Sequence, residues 1–128
     1  MSNLEKYTLE YSLTTSTKLL YTLISTPEGL SRWFAEAVQQ DDDLFTFSWE
    51  GTNQTARMIH KQENETVVFQ WMDNQHENIF FEMRIISEDV SPDVTLIVTD
   101  YSEPSDIDLS KLLWNSNIGQ LKRLIEPQ

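Results

Sequence analysis

Residues 94–125, VTLIVTDYSEPSDIDLSKLLWNSNIGQLKRLI, change their hydrophobic period part-way along. Val94, Leu96 and Val98 recur at every second position, which lines one face of a β-strand. Beyond Pro104 and Ser105 the spacing lengthens. Trp114, Ile118, Leu121 and Ile125 fall on one helical stripe, with Leu113 and Leu124 at its edges and Pro127 beyond it. Ser105 and Asp108 have the spacing of a capping box, with Asp in place of the usual Glu or Gln. A strand with one apolar face and a helix with one apolar stripe each need a cover, and each can supply the other's.

The same period of two recurs upstream. Phe81, Met83 and Ile85 share a face, as do Val67, Phe69 and Trp71, and Ala56, Met58 and His60. Phe45, Phe47 and Trp49 form another such set, and Tyr7, Leu9, Tyr11 and Leu13 open the chain with a fifth. Turn-forming residues separate them: Asp41-Asp42-Asp43, Gly51-Thr52-Asn53, the polar run Lys61 to Glu65, Asp73 to His76, and Ser91-Pro92-Asp93. Strands about a dozen residues apart with short turns indicate an antiparallel meander. Between the first strand and the rest, Thr14 to Thr17 offer several helix N-caps, and Leu19, Leu20, Leu23 and Ile24 have helical spacing. Thr26-Pro27-Glu28 then starts a short second helix through Leu30, Trp33 and Phe34, with Gly29 expected to weaken its first turn. The expected fold is α+β: a curved antiparallel sheet around a long C-terminal helix, two short N-terminal helices, one domain over residues 1–128.

Bulk properties set the bounds. The 128 residues are 39% hydrophobic, with four Trp, four Tyr and six Phe, too aromatic for a disordered chain. Nine basic residues against 21 acidic ones give a net charge of −12. That surface repels phosphate backbones and anionic lipid, so neither nucleic acid nor a membrane is an expected partner, whereas a basic protein suits it. The absence of cysteine removes disulfides and thiol chemistry. The opening MSNLEKYTLE has no apolar signal-peptide core, and no stretch approaches the roughly 20 apolar residues of a membrane helix. A cytoplasmic setting is expected.

The element order resembles the helix-grip fold of the START-like (SRPBCC) superfamily. More specifically, residues 16–34, STKLLYTLISTPEGLSRWF, look like the opening of the family related to the activator of a heat-shock chaperone ATPase. A Thr-Pro-Glu-x-Leu-x-x-Trp-Phe stretch is matched by Thr26, Pro27, Glu28, Leu30, Trp33 and Phe34. Trp114 and the leucine-rich helix to Leu124 resemble that family's end, although Asn115 to Gly119 follow Trp114 where a Gly-Trp pair is commoner. The resemblance implies a ligand cavity between long helix and sheet, and a link to chaperones or the stress response.

The candidate ligand-binding residues are the large side chains that parity turns inward. From the strands they are Phe45, Phe47, Trp49, Met58, Phe69, Trp71, Phe81 and Met83. The helices add Trp33, Phe34, Trp114 and Ile118. These residues either fill a close-packed core or wall an apolar pocket, in which a free indole N–H would suit a ligand carbonyl. His60 shares the inward parity of Met58, and His76 sits in a turn, but no metal-ligand spacing appears and no cofactor or metal is expected. Arg57, Glu82 and Arg84 take the outward parity. Asp73, Asp100 and Glu50 end strands, and catalysis would require one of them buried with a displaced pKa. The expected function is binding of an apolar, lipid-like small molecule. The alternatives are a protein-interaction module, chaperone-linked or self-associating through an outer sheet face carrying Phe80 and Ile86, and a cyclase- or hydrolase-type enzyme using His60 or Asp73.

Overall fold

A computed structural model describes residues 4–72, 79–87 and 92–126. Strand β1 (Glu5–Thr14) leads into helices α1 (Thr17–Ser25) and α2 (Pro27–Leu30). Six further strands follow: β2 (Ala37–Asp41), β3 (Leu44–Trp49), β4 (Thr52–Gln62), β5 (Thr66–Trp71), β6 (Phe80–Ser87) and β7 (Asp93–Ser102). A single 3-10 turn at Pro104–Asp106 opens α3 (Ile107–Ile125). The strands form one antiparallel sheet in the order β1-β7-β6-β5-β4-β3-β2, so the meander from β2 to β7 closes on β1.

Caps and turns are the local cause of this layout. Of the four hydroxyls offered before α1, Ser16 caps it, accepting from the Leu19 amide at 3.1 Å. Thr26 caps α2 by accepting from the Gly29 amide at 3.0 Å. Helix α2 is shorter than its start signal suggested: it ends at Leu30, and Trp33 and Phe34 lie in the turns beyond. Gly29 is a packing residue. A Cβ there would lie 2.4 Å from the Thr22 carbonyl oxygen and 2.6 Å from the Leu23 Cα, so only glycine lets α2 fold back against α1. Glu50 and Gly51, at φ 42° and 84°, form a two-residue hairpin turn, and Thr52 and Asn53 already belong to β4.

Three readings of the sequence need correction. Strand β2, AVQQD, was not expected; its faces are both mainly polar, so it carries no period-two apolar signal, and its pairing with β3 makes it a strand. The register between β4 and β5 shifts between Met58 and His60, a bulge that pairs His60 with outward Val68 and leaves its imidazole exposed. The Ser105–Asp108 capping box does not form: Asp106 is the N-cap of α3, without a side-chain cap bond. The turns proposed at Asp73 to His76 and at Ser91, and the stop at Pro127, lie outside the described residues.

The inward sheet face, α1 and the stripe of α3 share one core. Leu13, Leu20, Ile24, Leu30, Phe45, Phe47, Phe69, Met83, Leu96 and Leu121 are fully buried in it. Helix α3 is fastened along β1 at three points: Ser110 to the Tyr7 hydroxyl, Asn115 Oδ1 accepting from the Tyr11 hydroxyl at 2.7 Å, and Glu126 accepting from the Thr14 amide at 3.2 Å.

Candidate functional site

At one end of the α3–sheet interface, side chains leave a pocket of about 400 Å³. Its walls are Phe34 from the turn after α2, Trp49 from β3, Trp71 from β5, Phe81 from β6, and Trp114 and Leu113 from α3. Asp100, Ser110 and Asn117 add polar groups. Phe34 is the hub, its ring centroid 5.5 Å from Phe81, 5.7 Å from Trp49 and 5.7 Å from Trp114. Leu113 lines the pocket yet is 59% exposed, which puts it at the mouth.

The polar groups form one network. Asp100 Oδ2 accepts from the Trp114 indole Nε1 at 2.8 Å and from the Tyr7 hydroxyl at 3.3 Å. Its Oδ1 accepts from the Tyr101 amide at 2.8 Å. Tyr7 is also bonded to Ser110. Burial pushes the Asp100 carboxyl above the usual carboxylate range, against the opposing pull of these donors. Burial, with the negative charge of Asp100 beside it, pushes the Tyr7 phenol up to about 12, so Tyr7 is a neutral donor at ordinary pH. Three of the four indole N–H groups have protein acceptors: Trp33 donates to the Leu23 carbonyl at 2.8 Å, Trp49 to the Phe34 carbonyl at 2.9 Å, and Trp114 to Asp100. Among the described residues none accepts from Trp71.

The model of a START-like superfamily domain matches residues 1–126. The chain belongs to the START-like superfamily. A Bacteroides fragilis protein solved by solution NMR is 36% identical, with a TM-score of 0.68 over 97% of this chain and 92% of that one. The Aha1 dimer of Colwellia psychrerythraea is 17% identical at a TM-score of 0.83, covering 95% of this chain and 96% of its own. CalU16 of Micromonospora echinospora is 13% identical at a TM-score of 0.72, covering 99% and 86%. Among proteins of curated function, none matches. The helix-grip architecture and the likeness to Aha1-type proteins, both expected from residues 16–34 and the element order, hold.

Within this START-like domain the twelve candidate residues divide. Phe34, Trp49, Trp71, Phe81 and Trp114 wall the pocket. Trp33, Phe45, Phe47, Phe69, Met83 and Ile118 are buried core, and Met58 is half-buried against that core. Phe69 illustrates the division: its ring stacks on Phe81 at 5.1 Å and meets Phe45 edge-on at 5.1 Å, which leaves it no open face. Asp100, Ser110, Leu113 and Asn117 were not among the twelve. Asp100 had a legible signal, since it continues the inward parity of Val94, Leu96 and Val98. Among the other carboxylates, Glu50 is exposed in its turn and Asp73 lies outside the described residues. Arg57 and Arg84 face outward as expected; Arg57 pairs with Asp43 at 2.9 Å, and Arg84 with Glu82 of its own strand at 3.8 Å. Phe80 is half-buried and Ile86 is 41% exposed. Among the described residues no His, Asp and Glu cluster could hold a metal ion, and no helix is long and apolar enough to cross a membrane.

Proposed function

We propose that this START-like domain binds a small apolar molecule between α3 and the sheet. The observation that carries the reading is the pocket of about 400 Å³ with five large aromatic walls and few polar groups. Ligand sites have this character: concave, a few hundred Å³ or more, largely apolar, with a small number of orienting polar atoms. Among the described residues nothing accepts from the Trp71 indole N–H, which leaves that donor for a ligand acceptor, and the exposed Leu113 gives an apolar ligand a greasy entrance. Native mass spectrometry of freshly purified protein, followed by denaturing extraction, tests the reading. The expected result is a mass excess in the native spectrum and an apolar compound in the extract. A bare chain mass, together with tryptophan fluorescence indifferent to a panel of apolar probes, removes it.

A second reading, self-association, has its own support. On α3, Leu109, Leu112 and Leu113 are 60%, 63% and 59% exposed, the latter two three and four residues beyond the first and so on one face, and the similar Colwellia psychrerythraea protein is a dimer. Sedimentation equilibrium should then give a dimer that Leu112→Ser returns to monomer. A monomer for the unaltered chain at every concentration eliminates this reading and leaves the pocket unaffected.

A further inference from the structure

Asp100 is a half-buried carboxylate whose surroundings, among the described residues, supply hydrogen bonds and no counter-ion. Its three donors, the Trp114 indole, the Tyr7 phenol and the Tyr101 amide, are all neutral. The two ion pairs among the described residues, Arg57–Asp43 and Arg84–Glu82, lie elsewhere. Lys111 has its Nζ 5.8 Å from the Tyr7 ring centroid, but it does not line the pocket, and neither does any other Lys or Arg. Withdrawing a carboxylate even partly from water without a cation is unfavourable, so this one is poised to gain from a positive partner. Two carboxylate oxygens accept about four hydrogen bonds, and three are taken, which leaves room for an incoming N–H. Aromatic faces, tryptophan above all, also attract cations.

We propose that the pocket selects an apolar amine, with its hydrocarbon body among the rings of Phe34, Trp49, Trp71 and Phe81 and its ammonium on Asp100. The inference rests on reading the pocket as a ligand site and adds the charge that the ligand carries. An anionic amphiphile is disfavoured, because a second carboxylate beside Asp100 obliges one of the two to take up a proton. The neutral donors on the pocket wall, from Trp71, Ser110 and Asn117, do not offset that like charge.

The test uses the full chain and three probes with the same tail, decylamine, decanol and decanoate, each kept below its micelle threshold in isothermal titration calorimetry near neutral pH. Decylamine should bind once per chain, at least about tenfold more tightly than decanoate, and be displaced by decanol, as a charge-assisted hydrogen bond at a shared site requires. Asp100→Asn should remove the preference for decylamine over decanol and decanoate. Decanoate binding as tightly as decylamine, or an Asp100→Asn protein that retains the full amine preference, overturns the charge selection while the ligand-site reading survives. Failure of all three probes to bind overturns both. Should the variant lack native near-UV circular dichroism, the ranking and competition of the three probes on the unaltered protein decide alone.

Discussion

At the scale of single residues, Asp100 carries the clearest consequence. Its folded-state pKa lies above the value in the unfolded chain, so the native state holds the proton more tightly between the two. The contribution is most favourable below the ordinary carboxylate value of about 4 and is lost as the pH rises through the raised one. Asp100→Asn abolishes that loss. The amide has one acceptor oxygen in place of two, so the variant begins with a pH-independent deficit of hydrogen bonding. Urea unfolding across a pH series starting near about 4 should show the difference moving in the variant's favour as pH rises. A difference that stays constant would mean that Asp100 titrates as it does in the unfolded chain. The aromatic residues permit a comparison of their own. Phe69, fully buried among Phe45, Phe47 and Phe81, should cost about 3–5 kcal/mol as Phe69→Ala. Trp71→Ala should cost clearly less despite removing a larger ring, because Trp71 already borders open volume and is half-buried. Equal losses in urea unfolding would make Trp71 an ordinary core residue. Parity could place both rings on the inward face, but it could not tell them apart, since the difference lies in what α3 leaves uncovered at one end of the sheet.

At the scale of elements, two glycines with opposite surroundings show how the helices are placed. Gly29 has backbone atoms of α1 at 2.4 and 2.6 Å from where a Cβ would stand, whereas Gly119 on α3 has nothing within 4 Å. Gly29→Ala must therefore push α2 away from α1, an overpacking cost of about 1–3 kcal/mol. Gly119→Ala should stabilise by about 0.5–1 kcal/mol through helix propensity alone. Thermal unfolding of the two variants should move in opposite directions, and a neutral Gly29→Ala would refute the tight α1–α2 approach. The apparent weakness of Gly29 as a helix former is thus the condition for positioning the turn that delivers Trp33 and Phe34. Elements with a periodic apolar face were legible in the sequence: β1, β3 to β7, α1 and α3. Strand β2 was not, because Gln39, Gln40 and Asp41 bury no apolar face and owe their conformation to β3. The bulge at Met58/His60 was equally hidden, since a one-residue shift is set by pairing with β5 and reverses the parity of everything after it. The capping box before α3 failed for a similar reason, the chain entering α3 through a 3-10 turn.

At the scale of the whole molecule, charge is the quantity that acts at a distance. Twenty-one acidic residues face nine basic ones, for a net −12. The two ion pairs among the described residues are both substantially exposed, Arg57–Asp43 at 41% and 44% of their side chains and Arg84–Glu82 at 57% and 31%. Exposed pairs contribute about 0–1 kcal/mol each, so salt has little attraction to screen and much repulsion. Raising ionic strength from about 0.01 M to about 0.15 M shortens the screening length from about 30 Å to about 8 Å, less than the breadth of the sheet. The urea midpoint should therefore rise over that interval, with the dependence on urea concentration unchanged and with sodium and potassium chloride equivalent. A flat or falling midpoint would mean that attractive pairs outweigh the net charge. The same screening acts in opposite directions on the two functional readings. Two copies of −12 repel, so any association through Leu109, Leu112 and Leu113 strengthens as salt is added. An ammonium drawn towards Asp100 by the whole acidic molecule binds more weakly as salt is added, while decanol is nearly indifferent. Affinity and sedimentation measured along one salt series thus separate a ligand site from a self-association face, because no single mode of binding satisfies both trends.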